Sequence, residues 1–310
     1  MKPKILLTGK SGQVGRELEL LLPRVGEVIA LDRQQLDFTN PADIRRIIRD
    51  VRPHIIVNAA AYTAVDLAEQ EESTACAINA RAPAVLAEEA MKIGAALVHY
   101  STDYVFDGSK RTPYEEADPP SPVNVYGRTK IAGEQSIRET GVPHLIFRTE
   151  WVYAKQGRNF LLTILKLATQ REELRVVSDQ IGTPTSAREI AQATTEILGR
   201  IFATHENHLA WPDVAGTYHM TAAGETNWCE FANAILEEAS QVDPPAAWLV
   251  TAAGSRPRIA KQVTPVRSDE YPTAARRPPY SVLSNSRLAQ VFGVRLPDWR
   301  AQLHRFFTST

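Results

Sequence analysis

The sequence predicts an α/β fold, a doubly wound parallel sheet with a smaller C-terminal domain, from three observations. Through the first 150 residues, short apolar runs alternate with longer segments of helical periodicity, the pattern of βαβ units. A glycine-rich turn stands between the first run and the first helical segment. After Trp151 the rhythm loosens, and prolines gather at 242–245, 257–265 and 278–279.

The strand at 4–8 is a short apolar run of the kind buried on both faces of a parallel sheet. Helical spacing over 13–22 begins inside the glycine turn, and strands follow at 27–31, 55–58, 96–100 and 144–148. Helices over 41–50, 71–93 and 126–139 separate them. Right-handed crossovers then bring the carboxyl ends of the strands to one edge, where a ligand crevice belongs. A further sheet-covering helix at 186–199 and a late strand at 217–221 predict a return to the first unit. The expected division is therefore a nucleotide-binding domain of residues 1–150 with return segments about 186–222, and a substrate-binding domain of 151–185 and 223–310.

A chain of 310 residues with 44% hydrophobic and 23% charged residues has the composition of a folded globular protein. A formal net charge of -1 gives no basic footprint for nucleic acid or anionic lipid. The apolar runs, such as 55–61, fall far short of the roughly 20 residues of a membrane span. The N-terminus meets the glycine turn without the apolar core and cleavage site of a signal peptide. Cys76 and Cys229 are far apart and form no CxxC, which argues against a disulfide framework or zinc site and fits a reducing cytoplasm. No internal repeat stands out.

The turn reads Gly9-Lys10-Ser11-Gly12-Gln13-Val14-Gly15. Glycines at this spacing permit a tight turn and close backbone approach, and the helix N-terminus offers free N–H groups to a pyrophosphate. An ordinary strand-to-helix turn is the plain alternative, but Asp32 ends the second strand about 20 residues on, where a carboxylate reaches ribose hydroxyls. The GK[ST] ending of a triphosphate loop is missing. Asp32 favours NADH, whereas the adjoining Arg33 suits the 2′-phosphate of NADPH, so both cofactors stay open. Asp37 and Phe38 lie where the next loop approaches adenine, or else form a plain helix-entry loop.

Tyr126 and Lys130 stand four residues apart at a helix start, hence on one face. A phenol is a reluctant acid at neutral pH, and an adjacent ammonium favours its ionised form. Upstream, the run His99-Tyr100-Ser101-Thr102-Asp103-Tyr104 carries hydroxyls to the ligand edge of the sheet, and Thr102 is the candidate third member.

These segments occur together with Asn58-Ala59-Ala60-Ala61-Tyr62-Thr63, Arg148-Thr149-Glu150-Trp151, Asp179-Gln180-Ile181-Gly182-Thr183-Pro184-Thr185 and Tyr271-Pro272-Thr273-Ala274-Ala275-Arg276-Arg277-Pro278. In that order they resemble the dTDP-4-dehydrorhamnose reductase family, within the extended short-chain dehydrogenase/reductase superfamily of Rossmann-type fold, over nearly the whole chain. The resemblance implies that Tyr126 donates a proton, that Lys130 tunes it and holds the nicotinamide ribose, and that Thr102 bonds near the reacting oxygen. It also implies cofactor contacts from Gly12, Gln13, Val14, Asp32, Asp37, Phe38, Ala61, Tyr62 and Thr63. Sugar-nucleotide contacts from Thr102, Asp103 and Trp151 follow likewise, with core packing the alternative for Trp151.

The implied reaction is hydride transfer from NADPH or NADH to the C4 carbonyl of a dTDP-linked 4-keto sugar. Dehydratases carry an Asp-Glu pair after the threonine, where this chain has Asp103-Tyr104. Two alternatives stay open: a non-catalytic regulatory subunit of the same fold, and a reductase or epimerase for another nucleotide sugar. Self-association as a homodimer is also open.

His205-Glu206-Asn207-His208 lacks the helical spacing of a zinc motif, and no metal is expected. The basic cluster Arg256, Arg258, Lys261, Arg267, Arg276 and Arg277 reads as a solvated face, with Arg276 or Arg277 as candidates to hold a diphosphate.

Overall fold

Strand β1 (Lys4–Thr8) is flanked in parallel by β2 (Glu27–Leu31) and β3 (Ile55–Asn58). β4 (Ala96–Thr102), β5 (His144–Thr149) and the strand Gly216–His219 extend the sheet beyond β3, giving six parallel strands in the order β2, β1, β3, β4, β5, Gly216–His219. The computed structural model describes residues 2–203, 210–242, 246–253 and 257–308.

Successive side chains of a strand point to opposite faces, and β1 and β3 use this to build two cores. Ile5, Leu7, Ile55 and Val57 join the core under α1 (Gln13–Leu21) and the helix Ala187–Ile201. Leu6 and Ile56 join the core under α2 (Pro41–Val51) and the helix Ala82–Ile93. Both faces are covered, which is why these strands read as unbroken apolar runs. Because β2 lies on one side of β1 and β3 on the other, the winding reverses at β1, and a crevice opens between the loops that follow β1 and β3.

The strand expected at 96–100 continues to Thr102, and the late strand runs Gly216–His219 beside β5. The single helix expected over 71–93 is broken into Glu72–Cys76, a π turn Ala77–Arg81, and Ala82–Ile93. Pro83 has no N–H to give the Asn79 carbonyl. Gly133 packs there so closely that a Cβ would stand 2.2 Å from Asn79 O. The turn of helix thus widens where two helices touch, a common place for a π turn near a site.

A third core, centred on Tyr153, Leu161, Phe231, Leu303 and Phe306, lies among the helices Phe160–Ala168, Trp228–Gln241 and Trp299–Thr308. The parallel pair Glu173–Val177 and Gln262–Val266 completes that unit. Cys76 and Cys229 are both free thiols. Among the described residues no helix is long and apolar enough to cross a membrane.

The buried carboxylate of Glu89 joins α2 to the helix Ala82–Ile93. It accepts from Arg49 Nε at 2.8 Å and from Lys92 Nζ at 2.8 Å. The Arg49 bond leads in holding its pKa down from 4.5 to about 2, against the opposing effect of burial. A lowered folded-state pKa contributes stability that is complete above the unfolded value and lost as pH falls through the folded one. Glu89→Gln is therefore expected to unfold with a shallower loss of stability than wild type between pH 4.5 and about 2, read from denaturant midpoints across that range.

Candidate active site

Gly9 follows β1 with φ +76°, and a Cβ there would lie 2.6 Å from Ala60 N and 2.7 Å from the Ala59 carbonyl carbon. Only glycine lets the loops after β1 and β3 meet this closely. A Cβ at Gly15 would stand 2.0 Å from Gly9 O, so the first turn of α1 also depends on a missing side chain. Gly12 caps α1 without any side-chain hydrogen bond, leaving first-turn N–H groups open to an anion. Gln13 reaches across to the second unit, accepting from Asn159 Nδ2 at 2.8 Å, while Val14 packs on the core.

After β3, Asn58 Oδ1 accepts from Thr8 Oγ1 at 2.8 Å and from Ala60 N at 3.1 Å. Asn79, in the π turn, brackets Tyr62: its Oδ1 accepts from Tyr62 N at 2.9 Å and its Nδ2 donates to Tyr62 O at 3.0 Å. The segment Ala61, Tyr62, Thr63 is thereby fixed along the crevice, with Thr63 exposed.

Across the crevice, β4 ends at Thr102. The helix Val125–Glu139 begins there, capped by Asn124, whose Oδ1 accepts from Gly127 N at 2.8 Å and whose Nδ2 donates to Arg276 O at 2.8 Å. A Cβ at Gly127 would lie 2.1 Å from Tyr104 O, so the helix start is pressed onto the end of β4. This seats Tyr126 edge-on to Tyr104, ring centroids 5.6 Å apart, beside Thr102. Burial pushes the Tyr126 phenol well above its usual range, and the neighbouring Thr102 hydroxyl opposes this.

Lys130 is 1% exposed, and its amine donates to Tyr100 O at 2.6 Å beside His99 Nε2 at 3.3 Å. Burial lowers its pKa to about 8. The spacing predicts an ammonium acting on the phenol. In the structure Thr102 is the neighbouring group that eases ionisation of the phenol, and the lysine is held by β4. Among the described residues no group of side chains could hold a metal ion, and the histidines at 205 and 208 lie outside the described residues.

The family described as RmlD substrate binding domain matches residues 2–310. The dTDP-4-dehydrorhamnose reductase of Burkholderia thailandensis is 46% identical over 96% of this chain and 95% of its own. That of Escherichia coli K12 is 44% identical, covering 99% of each.

The chain belongs to the dTDP-4-dehydrorhamnose reductase family.

A solved structure of the Bacillus anthracis dTDP-4-dehydrorhamnose reductase in complex with NADP superposes with a TM-score of 0.87 at 35% identity, each chain covered in full.

The glycine loop follows β1, Ala61 to Thr63 follow β3 and Thr102 ends β4, so these stand along one edge of the sheet, with Tyr126 and Lys130 on the helix packed against β4. The residues after β2 are more dispersed. Asp32 Oδ1 caps its own turn, accepting from Gln34 N at 2.9 Å, and Arg33 is exposed. Asp37 Oδ1 accepts from Thr39 N at 2.8 Å, and the Phe38 ring sits in the core with Leu36 and Ile44. Trp151 adopts φ +45° and stacks on Trp228 at 3.5 Å and 11°. A Cβ at Gly182 would lie 2.6 Å from its ring.

A cleft of about 1100 Å³ opens beside Tyr104, between Phe160, Trp228, Gln180 and Arg276. The basic cluster does not gather into one face. Arg258 donates to Leu236 O, Lys261 pairs with Glu172, and Arg277 grips Asp66 with both terminal nitrogens, at 2.8 and 2.5 Å. Arg256 lies outside the described residues. Arg276 is exposed on the cleft wall, as are Arg171 and Arg175. Sequence reading missed Asn79, which shapes the crevice from a helix interior. It also missed Glu150 as a buried group, because a glutamate after a strand gives no local sign of burial.

Proposed function

We propose that this chain is an NAD(P)H-dependent reductase that converts dTDP-4-dehydro-L-rhamnose to dTDP-L-rhamnose in nucleotide-sugar and cell-surface polysaccharide biosynthesis. The observation that carries the proposal is Tyr126, buried on the helix start that is pressed onto the carboxyl end of β4 beside Thr102, across from an uncapped glycine loop at the switch point of the sheet. Gly9, Gly12, Gln13, Val14 and Gly15 would hold the pyrophosphate, Asp32 or Arg33 the adenosine ribose, and Asp37, Phe38 and Ala61 to Thr63 the remainder of the nucleotide. The fit is supported by positions 9 and 15, where a side chain would fill the cradle. When bound, the reduced nicotinamide supplies the hydride.

Tyr126 gives its proton to the substrate's C4 oxygen as charge develops there, and Thr102 holds that oxygen and the phenol in line. Lys130, anchored on Tyr100 O, sits on the same helix face to meet the nicotinamide ribose. Thr102, Asp103 and Trp151 face the sugar nucleotide, with Arg276 beside its diphosphate. The same proposal divides the chain into a cofactor-holding unit, residues 1–150 with about 186–222, and a sugar-nucleotide-holding unit of 151–185 and 223–310. A regulatory subunit without catalysis would have no use for a buried Thr102–Tyr126–Lys130 set.

Mixing the purified chain with dTDP-4-dehydro-L-rhamnose and NADPH, and separately NADH, is expected to give loss of reduced-cofactor absorbance with at least one of them. Loss with neither contradicts the proposal. Gly15→Ala should weaken binding of that cofactor by roughly 10- to 100-fold, because the added methyl forces the Gly9 carbonyl aside at a cost of about 1–3 kcal/mol. Fluorescence titration reads this directly.

A further inference from the structure

A row of buried polar side chains crosses the sheet and ends on Lys130. Thr8, Asn58 and His99 are register partners on β1, β3 and β4, and with Lys130 each is at most 1% exposed. Thr8 Oγ1 donates to Asn58 Oδ1 at 2.8 Å, Asn58 Nδ2 lies 3.0 Å from His99 Nδ1, and His99 Nε2 lies 3.3 Å from Lys130 Nζ. The lysine nitrogen also donates to Tyr100 O at 2.6 Å. Proton donation by Tyr126 leaves His99 without a part.

The hydrogens in this row are fixed from its glycine-loop end. Ala60 N, which can only donate, bonds Asn58 Oδ1 at 3.1 Å, so that atom is the amide oxygen and the amide nitrogen faces His99. An amide nitrogen donates, hence His99 Nδ1 accepts and carries no hydrogen. The single hydrogen of the neutral imidazole then sits on Nε2 and points at Lys130. An ammonium has three donors and no lone pair, and would meet that hydrogen with one of its own. A neutral amine accepts it and still donates to Tyr100 O. The row is satisfied throughout only in the amine form.

The titratable groups around the lysine do not reverse this. Glu134, one turn further along the helix, favours the ammonium, but its carboxylate is closed by Arg148 from β5, by Arg138 and by Ser101. One turn back stands Tyr126, a phenol that burial keeps protonated. Burial itself lowers Lys130 to about 8, and burial is the leading reason that His99 stays well below its usual range.

We propose that His99 is the positioning residue for Lys130, holding it as a neutral amine while the crevice is empty, so that the lysine takes up a proton as the cofactor binds. This rests on the reading of the crevice as a nicotinamide nucleotide site with Lys130 at the ribose. The cofactor's phosphates are anionic, and negative charge nearby favours the ammonium. Ribose hydroxyl oxygens offer the ammonium the acceptors that His99 withholds. One N–H bond forms on Nζ, the proton comes from solvent, and no electrons are transferred.

Two measurements on the full chain test this. In nuclear magnetic resonance of the chain carrying isotope-labelled histidine, the His99 ring is assigned by its Overhauser contacts to the Lys130 side chain. It is expected to carry hydrogen on Nε2 and none on Nδ1 at neutral pH. Fluorescence titration with NADPH, and separately NADH, should show affinity falling by about tenfold per pH unit above about 8, the dependence expected when one proton is taken up. His99→Asn keeps an oxygen for Asn58 and removes the hydrogen that faces Lys130. The lysine then stays charged to higher pH, so the variant should hold its affinity where wild type loses it and bind about tenfold tighter than wild type near about pH 9. A packing defect alone would weaken binding at every pH.

Hydrogen on His99 Nδ1, wild-type affinity that does not fall with pH, or the same fall in His99→Asn overturns the proposal. Should His99→Asn fail to fold, the wild-type ring and the wild-type pH dependence decide. A wild type that carries hydrogen on Nε2 but binds neither NADPH nor NADH would sink the functional reading and leave the histidine–amine pair standing.

Discussion

Tyr126→Phe is expected to lower kcat by about 10²- to 10⁴-fold, the range that positioned proton transfer contributes, with cofactor affinity preserved. The substitution removes one oxygen and leaves the ring edge-on to Tyr104, so the helix start and the crevice keep their shape. What is lost is the phenol hydroxyl beside Thr102. The fall should appear in kcat and kcat/KM alike, since the proton moves in the transition state and not on binding. Cofactor titration alongside steady-state kinetics separates this from a folding defect. Near-normal turnover would remove Tyr126 from the chemistry.

The largest expected effect on stability is at Glu134. Its carboxylate is fully buried and receives Arg148 Nε at 2.9 Å and Nη2 at 2.7 Å, Ser101 Oγ at 2.5 Å, and Arg138 Nη1 at 3.0 Å. The Arg148 bond is the leading influence that keeps it ionised against burial. Glu134→Ala leaves the 2%-exposed Arg148 uncompensated, which should cost roughly 3–5 kcal/mol in denaturant unfolding, the range for breaking a buried pair from one side. The double change Glu134→Ala with Arg148→Met should cost less than the sum of the single changes, because the second removes the stranded charge. Additive losses would mean that the pair is not a coupled unit. Glu134 lies one turn beyond Lys130 on the same helix, so the same network also fixes where that helix stands against β4 and β5.

Much of this architecture was legible in the sequence for a local reason. Buried parallel strands such as Ile55–Asn58 are unbroken apolar runs, and their helices carry a periodicity that any neighbour would reveal. The glycine loop was legible because Gly9 and Gly15 answer to steric limits set within a few residues and one facing strand. What escaped depends on distant partners. The π turn at Ala77–Arg81 arises where Gly133 presses on Asn79, 54 positions along the chain. Phe38 reads as a loop residue but its ring fills the core. Arg277 reads as a ligand for phosphate, yet Asp66 engages it across more than half the sequence. The direction in which Lys130 points was also beyond the four-residue spacing, because His99 and Tyr100 O decide it.

The reduction itself is tested most directly by following the hydride. The chain, incubated with dTDP-4-dehydro-L-rhamnose and cofactor carrying deuterium in both hydrogen positions at nicotinamide C4, is expected to yield dTDP-L-rhamnose with deuterium at sugar C4, and far less of that labelled product when Tyr126→Phe replaces wild type over the same interval. A sugar recovered without deuterium from wild type, or labelled at any other carbon, would contradict the account.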